Sequence, residues 1–316
     1  MNAPRTRVQR RPVHGVLLLD KPLGLSSNQA LQKAKWLLRA EKAGHTGTLD
    51  PLATGVLLLC FGAATKFSQL HLDADKTYEA IALLGIRTST ADAEGEIIST
   101  QEVNVTPQDI QRVEQKFTGP IEQIPPMYSA LKKDGKALYE YAREGIEIER
   151  PARHIVIHQL QLEEIDAKDG QRFLKMIVYC SKGTYIRALA EDIGIELGCG
   201  AHLTQLRRIA TGSFQIGQCI KLEQLESEDD QERAQHIQPV ESLVAGHHTV
   251  TLASDDAGRF LSGVRRRGSW LDHDQVAVYG SEPHAFLGTA HIRAGELIPE
   301  RLLNPQEIHS IFETTV

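Results

Sequence analysis

One carboxylate, Asp50, lies in a stiff and polar segment and is the first candidate for chemistry. The segment AGHTGTLDPLATG covers residues 43–55 and holds three glycines, three threonines and His45. Because Pro51 fixes its own φ and restricts the preceding residue to extended backbone, the chain itself aims the carboxylate. The alternative is an Asx-type turn, in which the carboxylate accepts hydrogen bonds from nearby N–H groups. The acid is therefore either presented for chemistry or an ordinary turn residue.

A tyrosine and an arginine follow a predicted strand in SKGTYIR, residues 181–187. The pattern predicts a turn and then a helix that begins near Thr184. Tyr185 and Arg187 would then lie at a helix N-terminus, where free N–H groups favour a carboxylate or a phosphate. Arg187 could pair with Asp50 and keep it ionised. An exposed tyrosine and arginine at an ordinary helix start are the alternative interpretation.

Basic residues occur in several places that suit a nucleic-acid surface. Residues 124–145 interleave tyrosines with lysines and an arginine, a pattern typical of nucleic-acid binding but also of a solvated helix. Arg207 and Arg208 lie on a predicted strand, so one faces solvent or phosphate and the other faces the interior. The triple arginine at 265–267 predicts phosphate contacts, with a simply solvated surface as the alternative.

The overall charge and the motifs of the sequence limit the classes of function that are possible. The 316 residues carry a net charge of −6, and residues 221–241 alone hold seven acids against two basic residues. Local potential governs RNA binding, so the net charge excludes no nucleic-acid partner. The sequence contains no Walker loop, GxGxxG or serine-elbow motif, so any chemistry runs without a nucleotide cradle.

The cysteine spacing and the apolar runs exclude further classes. The four cysteines are far apart with no CxxC pair, which argues against structural zinc and a disulfide framework. Apolar runs are too short to span a bilayer, and the basic start lacks the apolar stretch of a signal peptide. We therefore expect a cytoplasmic protein with no membrane contact.

The order of predicted elements indicates the fold class. Strands outnumber helices without regular βαβ alternation, which favours an α+β protein on a mixed, largely antiparallel sheet. The acidic stretch at 221–245 is a natural boundary, and a small β-rich module is predicted from about residue 248. We expect a basic flexible arm at 1–12, one domain at 13–245 and a second at 248–316.

Several motifs together resemble one family. GVLLLDKPLGLSSN, AGHTGTLDPLATGVL, KTYEAIALLG, CSKGTYIRALAEDIG and HLTQLRRIATGSF occur in the order and spacing of the bacterial TruB family, the tRNA pseudouridine synthases that act on uridine 55 in the T loop. The resemblance covers residues 12–225. It implies a pseudouridine-synthase fold at 13–245. A PUA-like RNA-binding domain at 248–316 is inferred mainly from position and β-rich character.

The resemblance also implies roles for individual residues. Asp50 matches the catalytic aspartate, presented by its stiff turn to a flipped-out uridine. Tyr78 matches the tyrosine that packs against the target base, and Leu206 matches an apolar wall of the pocket. Tyr185 and Arg187 match residues that line the pocket, with the arginine paired to the aspartate.

Three more residues and the partner follow from the same resemblance. His45 matches a histidine that contacts the T loop, and Lys21 and Pro22 match a second motif that supports the site. The implied partner is the T arm of tRNA, with no cofactor and a monomeric enzyme. The step performed by Asp50 stays open among attack on the sugar, attack on the ring and removal of a sugar proton.

Two other functions are compatible with the residues alone. A non-catalytic RNA-binding protein or tRNA-folding chaperone on the same fold would carry the same basic and aromatic surfaces. A hydrolase with an aspartate nucleophile would need a second acid or a metal cluster, and the sequence offers no obvious candidate for either.

Overall fold

A computed structural model describes residues 9–166 and 170–314 of the chain. Of the predicted basic arm, residues 1–8 lie outside the described residues. The described end of the arm is attached to the rest of the protein, because Arg11 forms a β-bridge with Ala40. The Arg10 guanidinium also donates to the Ala40 carbonyl at 3.0 Å.

The described strands form two large sheets and two small hairpins. In chain order the strands are β1 Gly15–Lys21, β2 Ala43–Thr46, β3 Ala53–Phe61, β4 Lys76–Leu84, β5 Ile86–Thr88, β6 Ile97–Thr100, β7 Gly119–Gln123, β8 Lys132–Lys133, β9 Lys136–Ala137, β10 Arg153–Asp166, β11 Arg172–Cys180, β12 Ala201–Thr211, β13 Phe214–Gln215, β14 Ile220–Lys221, β15 His248–Leu252, β16 Arg266–Arg267, β17 His273–Ser281, β18 His284–Arg293 and β19 Glu296–Leu302.

The larger sheet has ten strands, with the main order β14-β1-β3-β12-β4-β11-β10-β7; β2 pairs with β3, and β13 pairs with β12. Only β1 with β14 and β3 with β12 run parallel in this sheet. The predicted mixed, largely antiparallel sheet is therefore confirmed. Strands β2 and β3 contain the two ends of the 43–55 segment, so only its middle forms a turn.

The helices lie between these strands. They are α1 Ser27–Leu37, α2 Gln69–Leu72, α3 Pro107–Phe117, α4 Leu138–Arg143, α5 Ile186–Glu196, α6 Leu222–Ser227, α7 Asp230–Gln235, α8 Ser254–Leu261 and α9 Pro305–Thr314, with short 3₁₀ turns at Gly62–Lys66, Ile216–Gln218 and Val240–Val244. Ser26 caps α1 and Thr106 caps α3, each through a capping box. No described helix is long and apolar enough to cross a membrane.

Both faces of the ten-stranded sheet are covered, which explains the unbroken apolar run of β1. Leu17 and Leu19 pack in a core that includes the apolar faces of α1, α3 and α5. Val16 and Leu18 point to the opposite face, because successive side chains of a strand alternate. Burial on both sides of the strand favours apolar residues at successive positions, as in residues 16–19.

The second face is covered partly by the C-terminal part of the chain. Residues from His248 onward form a five-stranded sheet, in the order β15-β17-β18-β19-β16, with its own small core around Phe260. The predicted β-rich C-terminal region is confirmed. Phe286 and Leu303 from this region also join the core beneath the large sheet, and the Phe286 ring lies 5.2 Å from that of Phe67.

Candidate active site

The turn that carries Asp50 is held rigidly by the segment between β1 and α1. The buried Ser27 hydroxyl donates to the Leu49 carbonyl at 3.0 Å and accepts from the Leu49 N–H at 2.7 Å. The Gly24 N–H donates to the Pro51 carbonyl at 2.9 Å. These bonds fix both sides of the acid, so its direction depends on tertiary contacts as well as on the Asp-Pro sequence.

Asp50 forms an ion pair with Arg187. The Arg187 Nε lies 2.9 Å from Asp50 Oδ2, and the side chains are 4% and 38% exposed respectively. The pairing expected from the sequence is therefore present. In the described part of the chain no backbone N–H donates to this carboxylate, so the Asx-turn alternative is not adopted.

Arg187 is itself surrounded by acceptors. Its Nη1 donates to the Thr90 carbonyl at 3.0 Å, and its Nη2 donates to the Tyr128 carbonyl at 2.6 Å. Nη1 also lies 3.4 Å from Oδ2 of the buried Asp92. Removing one member of such a buried network leaves its partners uncompensated, so the guanidinium is locked in place.

Asp92 belongs to the site although no motif in the sequence indicates it. It lies in the turn after β5, where its carboxylate accepts from Thr90 Oγ1 at 2.5 Å and from the Glu94 N–H at 3.1 Å. Asp92 is therefore a second acid close to Arg187, in addition to Asp50. This acid contacts Arg187 rather than lining the cavity next to Asp50, so the two carboxylates do not form a hydrolytic pair.

A cavity of about 310 Å³ opens beside the Asp50–Arg187 pair. It is lined by four of the residues expected to bind substrate, together with the catalytic candidate: Asp50, Tyr78, Tyr185, Arg187 and Leu206. Strand β12 brings Leu206 opposite Ala53 of β3 and Ala80 of β4. The cavity therefore combines one carboxylate with aromatic and aliphatic walls.

The two tyrosines of the cavity are positioned by buried neighbours. Burial raises the pKa of the Tyr78 phenol, while Arg208, its register partner on β12, acts in the opposite direction. Burial also raises the pKa of Tyr185. The Gln123 side chain, 2% exposed, accepts from the Tyr185 N–H at 2.8 Å and donates to its carbonyl at 3.1 Å. Both phenols are therefore neutral at physiological pH and rigidly presented.

The adjacent arginines of β12 point to opposite faces, as predicted. Arg207 forms a bidentate pair with Asp20 at 2.7 and 3.1 Å. Arg208 is 1% exposed and donates from Nε to the Val56 carbonyl at 2.8 Å. Gly47, whose carbonyl accepts from Arg208 Nη2 at 3.2 Å, has φ +74°, a left-handed backbone conformation that favours glycine.

Lys21 and Pro22 lie beside the site rather than in the cavity wall. The Lys21 ammonium is fully buried and donates to the carbonyls of Pro22 and Leu25, at 2.9 and 2.5 Å. Burial lowers its pKa to about 8, and the nearby Asp50 charge opposes that shift. The lysine thus fixes the loop whose Gly24 holds the Asp50 turn.

His45 is placed differently from the other expected site residues. It lies on β2 opposite Leu59 and does not line the cavity. Burial, assisted by the Arg208 charge, lowers the pKa of the imidazole. Its Nδ1 has no hydrogen-bond partner among the described residues. The structure therefore places a neutral histidine near the site but outside the cavity.

The basic and aromatic segment 124–145 forms part of the cavity wall. It folds as the β8–β9 hairpin and α4, and contributes Ser129 and its two following residues to the lining. Lys136 lies over the Tyr141 ring at 4.5 Å. The solvated-helix alternative is wrong, because the segment contains a hairpin and one short helix. Its role as a nucleic-acid surface stays a prediction.

Comparison with known proteins identifies the family. Residues 35–186 match the family described as TruB family pseudouridylate synthase (N terminal domain). Residues 187–245 match the tRNA pseudouridylate synthase B C-terminal domain, and residues 249–303 match the description Pseudouridine synthase II TruB, C-terminal.

Two curated relatives cover almost the whole chain. The tRNA pseudouridine synthase B of Verminephrobacter eiseniae (strain EF01-2) is 62% identical over 98% of this chain and 94% of the relative. The tRNA pseudouridine synthase B of Cupriavidus pinatubonensis (strain JMP 134 / LMG 1197) is 54% identical over 94% of this chain and 96% of the relative.

Solved structures share the fold at lower identity. An archaeal box H/ACA sRNP Nop10-Cbf5 complex contains a chain that is 23% identical, with a TM-score of 0.67 over 95% of this chain and 88% of that one. A chain of a Cbf5-Nop10-Gar1 complex is 26% identical, with a TM-score of 0.66 over 94% of this chain and 87% of that one. With its sequence relatives, family matches and fold in agreement, this chain belongs to the TruB family of pseudouridylate synthases.

Proposed function

We propose that this protein isomerises uridine 55 in the T loop of tRNA to pseudouridine, without a cofactor, and that Asp50 is the catalytic residue. The observation that carries the proposal is the Asp50 carboxylate, held 2.9 Å from the buried Arg187 and more than a third exposed at the cavity. An RNA chaperone would need the basic surfaces but not this aimed acid.

The reaction suits the walls of the cavity. The C1′–N1 bond of the uridine breaks, the base turns, a C1′–C5 bond forms, and a proton moves from C5 to N1. The uridine must leave its stack to enter the site, at a cost of about a few kcal/mol. Tyr78 and Leu206 offer it a stacking and apolar surface, and the exclusion of water strengthens the interaction of Asp50 with developing charge.

Arg187 holds the direction of Asp50. The contact between guanidinium and carboxylate keeps the acid at the cavity, where all three routes for its attack or proton removal require it. The other guanidinium nitrogens are occupied by the Thr90 and Tyr128 carbonyls and by Asp92. Arg187 is therefore a positioning residue with little freedom to leave the acid.

The remaining residues extend the proposal to the partner and the setting. We place the catalytic unit at 13–245 and an RNA-binding, PUA-like unit at 248–316, acting on the T arm as a monomer in the cytoplasm. His45 lies outside the cavity and is assigned to the surrounding loop of the RNA. Lys21 and Pro22 support the site through the loop before α1.

Replacing Asp50 by Asn tests the assignment. Asp50→Asn should lower the single-turnover rate on an unmodified tRNA transcript by about a thousandfold or more. Its tRNA affinity should stay within a few-fold of the original, because RNA affinity comes mainly from phosphate and shape contacts. Pseudouridine is measured by nucleoside mass spectrometry and mapped by primer extension, and affinity is measured by filter binding.

The matched control is Asp255→Asn, which removes an exposed carboxylate in the first turn of α8. This variant should keep both rate and affinity. Turnover by Asp50→Asn close to that of the original protein would contradict the catalytic assignment. Modification at a uridine other than position 55 would contradict the proposed specificity alone.

A further inference from the structure

Two cations in the cavity wall have no part in the Asp50–Arg187 pair. Lys76 at the start of β4 is 7% exposed and Arg208 on β12 is 1% exposed, and both line the cavity. Among the described residues neither forms an ion pair with a carboxylate. Buried cations without a counter-ion are costly, so this wall is suited to an anion that arrives with the substrate.

The Lys76 ammonium has one hydrogen-bond donor left. It donates to the Leu72 carbonyl at 2.8 Å and to the Ala74 carbonyl at 2.5 Å. An ammonium carries three N–H donors, so two are used by these carbonyls at the end of α2. Arg208, by contrast, is anchored to the Val56 and Gly47 carbonyls.

The Lys76 ammonium contacts a partly exposed part of the cavity wall. Leu72, whose backbone carbonyl accepts from the ammonium, lines the cavity and is 36% exposed. Lys76 and Tyr78 are two residues apart on β4, so their side chains lie on the same face of the strand. When a base enters such a cavity, its sugar-phosphate backbone stays at the rim.

We propose that Lys76 binds a phosphodiester group next to the flipped uridine, with Arg208 behind it strengthening the positive potential. The inference rests on the proposed function, since it takes RNA as the substrate. Uracil is neutral and the phosphates are the anions of the RNA strand, so the chemistry of this wall points to the backbone rather than the base. Lys76 is thus a substrate-positioning residue, beyond its contacts with the two carbonyls.

The charges around Lys76 are compatible with this role. Burial and the Arg208 charge lower the pKa of Lys76 to about 8, while Cys180, Asp73 and Asp75 act in the opposite direction. His71 of α2 also faces the lysine. A bound phosphate favours the ammonium, so substrate binding holds the lysine in its charged form.

A cycle of one protein change and one RNA change tests the contact. Three T-arm stem-loops are compared: one with all phosphates charged, and two with a single neutral methylphosphonate on the 5′ or the 3′ side of the target uridine. On the charged RNA, Lys76→Gln should lower kcat/KM for pseudouridine formation by about tenfold to a hundredfold. On one of the two neutralised RNAs the same change should cost less than about threefold.

Two variants accompany the cycle. Lys76→Arg keeps a cation and should recover part of the lost kcat/KM on the charged RNA. Lys221→Gln, at an exposed lysine of β14, should have little effect on any of the three RNAs. An equal loss for Lys76→Gln on all three RNAs would overturn the proposal and leave the lysine as a cap of the α2 carbonyls.

If Lys76→Gln lacks a cooperative melting transition, the original protein supplies the test. We compare kcat/KM for the charged RNA with kcat/KM for the neutralised RNA that lacks the phosphate charge bound by Lys76. The ratio of the two should fall as the pH rises past about 8, because kcat/KM follows the ionisation of the free enzyme and Lys76 loses its charge there. A ratio that stays constant from pH 7 to 9.5 for both neutralised RNAs overturns the proposal. Complete absence of pseudouridine in the original protein with charged RNA instead refutes the proposed function, and the phosphate contact with it.

Discussion

Arg187 at the start of α5 and Arg208 on β12 of the ten-stranded sheet are almost fully buried, whereas Arg265 and Arg267, beside and within β16 of the five-stranded sheet, are largely exposed. The buried pair donates mainly to backbone carbonyls around one cavity. The exposed pair shares a single carboxylate, Glu296, at 3.4 and 2.8 Å. A single arginine and one of an adjacent pair thus lie at the cavity, while the run of three does not.

The difference lies in what each arginine has available as a partner. Arg266, the middle member of the run, is paired with Asp256, so all three have a carboxylate neighbour. The phosphate contacts expected of this run would have to compete with those acids. Exposed ion pairs contribute about 0–1 kcal/mol each, whereas a buried cation left without its partners costs several.

The two regions nevertheless share one core, and truncation gives the largest expected effect. Removing residues 248–316 should leave a protein with no cooperative unfolding transition, because Phe67, Phe214 and Leu58 would lose their cover from Phe286 and Leu303. Each such side chain contributes about 1.5–3 kcal/mol when buried, and the net stability of a protein is only about 5–15 kcal/mol. Solubility and urea unfolding of the fragment measure this.

A soluble fragment that unfolds cooperatively and forms pseudouridine at the original single-turnover rate would show that the regions are independent. Phe286→Ala in the full chain is the graded version of the experiment. It removes one ring from the shared core and should cost about 3–5 kcal/mol in the free energy of unfolding.

Equivalent substitutions of one arginine from each region sharpen the contrast. Arg187→Lys should lower the single-turnover rate about a hundredfold or more and destabilise the fold by about 3–5 kcal/mol. A lysine cannot reach Asp50, Asp92 and the carbonyls of Thr90 and Tyr128 together. Rate is measured at saturating tRNA and stability by urea unfolding.

The matched control is Arg267→Lys, at an exposed arginine of the C-terminal sheet. This change should alter stability by less than about 1 kcal/mol and leave the rate unchanged. Equal effects at the two positions would contradict the distinction between a buried positioning arginine and a surface ion pair.

Two serines offer the same comparison for hydroxyl groups, with the smallest expected effect. Ser27→Ala should cost about 1–3 kcal/mol, because it leaves the Leu49 N–H and carbonyl unpaired in the interior. It should also slow turnover, since that pair of bonds holds the Asp50 turn. Ser262→Ala removes an exposed hydroxyl bonded to the Gly258 carbonyl and should cost under about 0.5 kcal/mol.

Unfolding in urea and single-turnover rates distinguish these serines. If Ser27→Ala lost stability but kept the full rate, the Asp-Pro sequence alone would be sufficient to aim the acid. A loss in both quantities would assign that task to the contact with the α1 segment.

The local features of the site can be predicted from the sequence, because they depend on interactions between residues that are close along the chain. Pro51 restricts the residue before it wherever the turn lies, and the alternation of a strand separates Arg207 from Arg208 without reference to the rest of the fold. Resemblance to the family supplied the roles of Tyr78 and Leu206, which no local pattern indicates.

The features that were missed depend on contacts between distant segments. The sequence around Asp92 indicates only an acid in a turn. The packing of that turn against α5 places its carboxylate 3.4 Å from Arg187. Gln123 has no sequence signal for its two bonds to the backbone of Tyr185. The acids that pair with the triple arginine come from other elements. The sequence therefore gives no sign that these arginines already have carboxylate partners.

The sequence by itself determined the α+β class, the apolar strands, the stiff Asp50 turn and the opposite faces of the two β12 arginines, since these follow from backbone restriction and side-chain periodicity. The tertiary structure decided which charges are compensated. Whether Arg187 meets a carboxylate, Lys76 meets only carbonyls or Arg267 meets Glu296 depends on which residues the folding brings within about 3 Å. Charge compensation acts through space, so no spacing along the chain specifies it.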